Sequence, residues 1–261
     1  LAAVGLLQFV WYPDLRNLWY LGWDPHYYRV FATLLDPNYV GILLVLTIFV
    51  LSYLRILYTQ WRAWIVVSMG MVGIALLLTF SRSSYLAFLG GIAVPILILK
   101  RWKEGIFFVL FFLLAVAYVP KPGGRTLSLF RHDSTVARIQ NWGQTITRIG
   151  ERPVLGFGFN VVPFIGREEA KSLPGRRGAG IDSSILFVGV TTGIVGIFGY
   201  LWLLVKQILL ITRFKNTTLR TLVYSSFTAL SIHSLFVNSL FYPWVMVWIW
   251  TLLGLVEREK I

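Results

Sequence analysis

Long runs without a charged residue make up most of the 261-residue chain. A transmembrane helix needs about 20 mainly apolar residues, because about 30 Å of helix crosses the hydrocarbon core. The runs of suitable length for one crossing are 37–54, 63–81, 83–99, 105–120 and 183–205. A further run, 221–256, is too long for one helix, and Tyr242-Pro243 is the predicted turn of a hairpin. This pattern predicts about seven full spans plus a partial one at the N-terminus.

The predicted fold class is an all-α, polytopic transmembrane helix bundle with one long extracytoplasmic loop that contains an amphipathic helix. The predicted organisation is N-terminal spans over 1–119, the loop over 120–182 and C-terminal spans over 183–261. The chain opens at Leu1, inside an apolar run and without Met, so we expect a fragment whose earlier spans are missing.

Basic residues lie mainly on one side of the predicted spans. The short connections on that side hold eleven: Arg55, Arg62, Lys100, Arg101, Lys103, Lys206, Arg213, Lys215, Arg220, Arg258 and Lys260. The opposite short connections hold only Arg16, Arg29 and Arg82. Positive charge marks cytoplasmic loops, so the first side is predicted to be cytoplasmic and the long loop external.

Composition agrees with a membrane protein: 57% of the residues are hydrophobic and 13% charged, with a mean hydropathy of +0.71. Soluble domains carry roughly a quarter charged residues. The net charge is +13, but the Lys and Arg residues lie between apolar runs and do not form one basic stripe. Nucleic acid is therefore not an expected partner. The loop is itself basic, and we expect something anionic to dock there. The chain has no Cys, which excludes disulfides and thiolate zinc sites.

The first candidate functional residue is Arg82, which follows Ser81 between two predicted spans with almost no connecting loop. A tight external hairpin would hold its guanidinium at the membrane boundary. One interpretation is an interfacial Arg whose head group extends into the polar layer. The other is a fixed cation for a lipid-linked phosphate, since guanidinium matches phosphate oxygens in a bidentate manner. The residue alone favours neither.

The second candidate is the segment 133–160 in the loop. Asp133 or Ser134 can cap a helix there, and Pro153 ends it. An apolar stripe with spacings of three and four makes this helix amphipathic; its members are Val136, Ile139, Trp142, Ile146 and Ile149. Arg138 and Arg148 flank the stripe, which is also typical of a lipid anchor. Gly156 and Gly158 are predicted to form a turn, because no strand precedes them and the third Gly of a phosphate loop is missing.

The third candidate is Asp182, at the external mouth of the run 183–205. A carboxylate there can simply cap a helix N-terminus. Beside a bound phosphate it could instead act as a general base on a sugar hydroxyl. His233 and Asn238 are polar positions in the predicted penultimate span, where we expect hydrogen bonds between helices. No spacing of His and acidic residues predicts a metal site, and no cofactor is expected.

Taken in order, these motifs resemble the O-antigen ligase and polymerase superfamily of bacterial envelope glycosyltransferases. The resemblance covers nearly the whole chain. Its elements are RVFATLLDPNYVG (29–41), SRSSYLAFLGG (81–91), Arg138 with Trp142, PVLGFGFN (153–160), DSSILFVGVTTGIVG (182–196) and the closing apolar hairpin.

The resemblance implies transfer of a glycan from an undecaprenyl-pyrophosphate carrier to a hydroxyl of an acceptor glycan or lipid. It implies the external face of the bacterial inner membrane and a reaction without metal. By position, Arg82 and Arg138 would hold the pyrophosphate, and Asp182 would be catalytic with them. Asp182 lies where the ligases typically carry a His. An Asp at this position resembles the polymerase-like members more. Further substrate-binding candidates are Arg131, Trp142, Arg176 and Arg177.

A transporter or flippase of an anionic lipid-linked glycan is the alternative. Many transport pathways contain paired ionisable residues and helices broken by Gly or Pro. The predicted spans are expected to lack both, which favours the enzyme.

Overall fold

The computed structural model describes residues 1–21, 23–128, 133–164, 180–212 and 215–258. Its secondary structure within these ranges is helical, apart from one isolated bridge between Asp14 and Tyr27. The α-helices are α1 (Ala2–Trp11), α2 (Pro37–Leu57), α3 (Arg62–Leu78), α4 (Arg82–Leu99), α5 (Trp102–Tyr118), α6 (Asp133–Glu151), α7 (Ser184–Thr212), α8 (Thr217–Ser234) and α9 (Pro243–Arg258). Short 3-10 turns lie at Arg16–Leu21, Ala32–Leu34, Thr59–Trp61, Gly124–Leu127 and Val162–Phe164.

The predicted all-α class is confirmed for the described ranges, and each predicted span coincides with a helix. Among the described residues, four helical segments are long and apolar enough to cross a membrane: Pro37–Leu57, Thr59–Leu78, Arg82–Leu99 and Ser184–Thr212. The remaining crossings, the sidedness of the loop and the total of about seven stay predictions. The amphipathic helix predicted from the 133–160 motif is present as α6, and it ends before Pro153 as expected.

The closing apolar run forms two helices, but their connection is longer than predicted. It occupies 235–242, and Pro243 is the first residue of α9. Proline suits that position because the first helical residue has no intrahelical partner for its N–H group. Asn238 therefore lies in the connection and not inside a span, which corrects the sequence prediction.

Two compact units divide the chain. The first comprises Leu1–Asn17, Asp24–Phe130 and Phe214–His233, and the second comprises Leu18–Trp23, Arg131–Arg213 and Ser234–Ile261. The division follows packing, whereas the predicted boundaries at 119/120 and 182/183 follow membrane topology and stay predictions.

In the first unit, small residues let α2 and α4 approach closely. A Cβ atom on Gly41 would lie 2.3 Å from Ser84 Oγ, and one on Gly91 would lie 2.3 Å from the ring of Phe49. Lipid offers apolar side chains no net gain from burial, so such close packing is a main source of helix association in a bilayer. The glycines therefore fix how α4 rests on α2.

In the second unit, α7 is broken at Gly193, where φ is +63° and ψ is −160°. Its 29 residues would measure about 43 Å as one straight helix, which is more than a 30 Å core requires. The segment that follows α6 pairs with both sides of the break. Phe157 N and Gly158 N donate to Val190 O (2.8 Å) and Thr191 O (2.9 Å). Ile194 N and Val195 N donate to Pro153 O (2.8 Å) and Val154 O (3.4 Å).

This break corrects the expectation that no span is interrupted by Gly or Pro. It also gives the Gly156-x-Gly158 pair its role. Both glycines have positive φ, as a turn requires, and a Cβ atom on Gly156 would lie 2.6 Å from the backbone of Thr191 and Thr192. The turn prediction is therefore right, and the turn serves close contact with α7.

Gly193→Ala should destabilise the protein, because its backbone conformation is nearly exclusive to glycine and a Cβ atom would lie 2.3 Å from Val154 O. We expect a loss of about 1–3 kcal/mol, seen as a lower melting temperature in detergent. Gly199→Ala is the matched control, since a Cβ atom there meets nothing within 4 Å in the same helix. Equal melting temperatures of the two variants would contradict the described break.

Candidate active site

Arg82 is the first residue of α4, and the backbone that precedes it is firmly held. Ser81 occupies the N-cap position and accepts a hydrogen bond from Ser84 N (3.4 Å). The buried Arg29 donates from Nε to Thr79 O (2.8 Å) and from Nη2 to Phe80 O (3.1 Å). These carbonyls belong to the turn between α3 and α4, where Phe80 has a positive φ of 48°. The tight hairpin predicted around Arg82 is therefore present, and Arg29 stabilises it.

Serines on both sides of Arg82 form a buried polar cluster with α2 and α8. Ser81 Oγ donates to Asn38 Oδ1 (2.8 Å). His233 Nε2 lies 3.2 Å from Ser83 Oγ and 3.3 Å from Ser84 Oγ, and its side chain is fully buried. The prediction that His233 makes hydrogen bonds between helices is confirmed. Arg82, between these serines, is half-buried.

The entry into α2 lies beside this cluster. Asp36 is the N-cap of α2 and accepts from Asn38 N (2.6 Å) and Tyr39 N (3.4 Å). Burial raises the pKa of Asp36, although the Asn38 N–H group and the charge of Arg29 act in the opposite direction. The sequence DPN at 36–38 is thus a capping motif whose Asn side chain also reaches Ser81.

Arg138, Trp142 and Asp182 belong to the second unit, where α6 binds the backbone before α7. Trp142 Nε1 donates to Asp182 O (3.1 Å). Asn141 Nδ2 donates to Gly180 O (3.1 Å), and Asp182 N donates to Asn141 Oδ1 (3.1 Å). The half-buried Asp182 is therefore clamped through both of its backbone polar groups, and its carboxylate takes no part in the clamp.

Asp182 does not occupy the N-cap position of α7. The helix begins at Ser184, and the first helical carbonyl is that of Ser183, which accepts from Phe187 N (2.9 Å). Ser184 Oγ in turn accepts from Leu240 N (3.1 Å), which ties the start of α7 to the connection before α9. Helix capping therefore does not by itself explain an acidic residue at 182.

Arg138 lies one helical turn before Trp142 on α6. Its guanidinium carbon is 5.8 Å from the centre of the Phe236 ring, and the Trp142 ring stacks on the same Phe236 at 6.2 Å. The Nε atom of Arg138 is buried and has no hydrogen-bond partner in the described part of the chain. A half-buried cation with an unpaired donor is suited to binding an anion.

The other predicted site residues lie elsewhere. Arg82 belongs to the first unit, so its sharing a pocket with Arg138 and Asp182 stays a prediction. Arg131, Arg176 and Arg177 lie outside the described residues. Within the described ranges no three His, Asp or Glu side chains come together as a metal site requires, and the expectation of a metal-independent reaction stays a prediction.

The supporting roles of Asn141, Asn38 and Arg29 were not predicted from the sequence. Asn141 had a weak signal, because Asn is a poor helix former at the middle of a predicted helix, directly beside Trp142. The partners of Asn38 and Arg29 are about 40 and 50 residues away in sequence, so local patterns carry no trace of them.

The described part of the chain is helical and includes four helical segments able to cross a membrane, which defines a multi-pass membrane protein. The family model described as O-antigen ligase matches residues 69–201. This is about half of the chain and includes Arg82, Arg138, Trp142 and Asp182. The chain therefore belongs to the O-antigen ligase family. No curated protein and no solved structure matches it.

Membership makes the chain a membrane enzyme of the O-antigen ligase or polymerase type, which transfers glycosyl groups in polysaccharide biosynthesis. Lipid-linked glycans are the class of substrate that the family implies, and membrane lipids surround the apolar helices. The resemblance stated from the motifs is thus confirmed.

Asn141→Ala should loosen the backbone around Asp182, because it removes hydrogen bonds to both Gly180 and Asp182. At about 1 kcal/mol per bond, we expect amide exchange of residues 180–184 to accelerate roughly tenfold or more, as measured by hydrogen exchange mass spectrometry. Gln140→Ala, at an exposed position beside it, is the control and should leave exchange unchanged. Unchanged exchange in Asn141→Ala would refute the clamp.

Proposed function

We propose that this enzyme transfers or polymerises saccharide units from an undecaprenyl-pyrophosphate donor onto an acceptor hydroxyl. The reaction would take place on the external face of the bacterial inner membrane, with the loop 120–182 outside. The acceptor would be a glycan or a lipid. O-antigen or exopolysaccharide polymerisation and ligation are both within this proposal.

In the proposed step, the acceptor oxygen attacks the anomeric carbon of the donor as the bond to the pyrophosphate breaks. The carboxylate of Asp182 accepts the hydroxyl proton as a general base. The electron pair of the broken bond leaves with the pyrophosphate, whose growing negative charge Arg82 and Arg138 stabilise. Attack opposite to the leaving group inverts the anomeric centre. The further candidates Arg131, Arg176, Arg177 and Trp142 would bind the substrate.

The observation that carries this proposal is the clamp between α6 and the backbone of Asp182. The helix that bears Arg138 hydrogen-bonds Asp182 through Trp142 and Asn141, so a cation and a carboxylate are held by one local framework. Electrostatic catalysis depends on groups that are fixed before the charge develops, because reorganisation then costs little. The half-buried guanidinium of Arg138, beside Phe236, gives this framework its positive charge.

The setting of Arg82 supports the proposal in a second way. The turn before it is held by Arg29, and the serines on either side are hydrogen-bonded to Asn38 and His233. A guanidinium on such a backbone loses little freedom when it binds a diphosphate, and the positive end of the α4 helix dipole favours an anion there. An Arg that only marks the lipid boundary would not need this support.

The break in α7 is one feature that favours the transporter alternative, because many transporters contain helices interrupted by Gly or Pro. Family membership outweighs that feature, because the matched family consists of glycosyl-transferring enzymes and the match includes the break itself.

Arg82→Ala and Arg138→Ala should each reduce glycan transfer by about 100-fold or more, since each removes charge stabilisation of the leaving pyrophosphate. The measurement is gel analysis of envelope polysaccharide in a deletion strain that carries each variant, with the protein level checked in the membrane fraction. Shortened chains would indicate polymerisation, and unattached chains would indicate ligation.

Arg62→Ala is the matched control for these variants, because Arg62 is exposed at the predicted cytoplasmic start of α3. It should retain normal glycan. Normal polysaccharide in both Arg82→Ala and Arg138→Ala would eliminate the proposed mechanism.

Asp182→Asn should also lower transfer by about 100-fold or more, because an amide cannot accept the hydroxyl proton. The clamp uses only backbone atoms of Asp182, so hydrogen exchange of 180–184 should not change. Glu151→Gln, an exposed acidic position at the end of α6, is the control and should be fully active. An active Asp182→Asn enzyme would remove the general-base assignment and leave the roles of the arginines standing.

A further inference from the structure

The segment 153–164, which follows α6, turns its large apolar side chains outward. Leu155 is 72% exposed and Phe159 is 70% exposed, and Val154 and Phe164 are each 58% exposed. A loop in water normally shows polar side chains, and a contiguous group of large exposed apolar residues marks contact with protein or membrane.

The backbone of the same segment points inward and is paired. Its N–H groups at Phe157 and Gly158, and its carbonyls at Pro153 and Val154, bond to α7 around Gly193. Irregular backbone is tolerated at membrane depth only where protein satisfies its polar groups. The backbone groups at these positions are hydrogen-bonded to α7 and so meet this condition. In a loop that faces water, the solvent could satisfy the same groups.

The segment also adjoins the exposed apolar part of α7. The residues bonded to it, Ile194 and Val195, are exposed, and the exposed apolar surface continues along the helix to Phe198 (68%) and Trp202 (62%). The part of α7 before the break is mostly buried by comparison. The outward apolar side chains of 153–164 are therefore continuous with the surface of a membrane-spanning candidate.

We propose that residues 153–164 form a shallow re-entrant element whose side chains enter the acyl-chain region of the bilayer at the level of Ile194. The occupant of this surface is bilayer lipid. Arg152, next to the segment, keeps its guanidinium carbon 5.1 Å from the centre of the Phe157 ring, an arrangement that lets the charge reach the headgroup layer while its stem stays apolar. The proposal concerns the surface alone and does not depend on the reaction proposed above.

The chain contains no Cys, so a single introduced Cys can carry an environment-sensitive fluorophore. The test labels Leu155→Cys and Phe159→Cys in the full chain, reconstituted in nanodiscs of phosphatidylcholine and phosphatidylglycerol. Phe198→Cys on α7 is the lipid-facing reference, and Gln144→Cys, at an exposed polar position of α6, is the water-facing reference. Each label is measured with bromine-substituted acyl chains and, separately, with aqueous iodide.

We expect the labels at 155 and 159 to show blue-shifted emission and to lose most of it in brominated lipid, as at 198, with little quenching by iodide. Iodide quenching like that at 144 would overturn the proposal. Shielding from both quenchers would also overturn it, because a protein partner would then cover the surface. Size-exclusion chromatography checks folding, and Val154→Cys, on the same segment, replaces any variant that aggregates.

Discussion

The constraint on which the second unit depends is the need of backbone polar groups for partners at a helix break. Gly193 leaves N–H and carbonyl groups of α7 without helical partners, and each would be costly to bury unpaired. The segment that starts at Pro153 supplies bonds on both sides of the break. Removing either element would expose the other, so the loop and the span form one structural unit rather than a span with an appended loop.

The candidate site residues Asp182 and Arg82 also depend on hydrogen-bonded backbone. Asp182 is held through its backbone, and Arg82 follows a turn whose carbonyls are bonded to Arg29. In both cases these hydrogen bonds involve backbone atoms of the candidate residue or of the turn before it. Family membership gives the chemistry its class, which is transfer of glycosyl groups.

Sequence patterns predicted the helices well because lipid imposes length and polarity on each crossing, and α6 because its apolar residues recur at helical spacing. They predicted neither the break in α7 nor its partner. A glycine within an apolar run looks the same whether it is helical, like Gly199, or strained, like Gly193. The difference is set by a segment about 40 residues earlier. The clamp by Asn141 was not predicted for the same reason, since its partners at Gly180 and Asp182 become neighbours only after folding.

The hydrogen bonds on both sides of Gly193 make the break in α7 a fixed corner, that is, a rigid kink and not a hinge. The carbonyls of Val190 and Thr191 lie before the corner, the N–H groups of Ile194 and Val195 lie after it, and one segment braces both arms. The direction of the short arm, which begins just after Asp182, is therefore decided when the chain folds. The position of Asp182 relative to the long arm is therefore set by the fold, and binding a ligand near the short arm requires no bending of the helix.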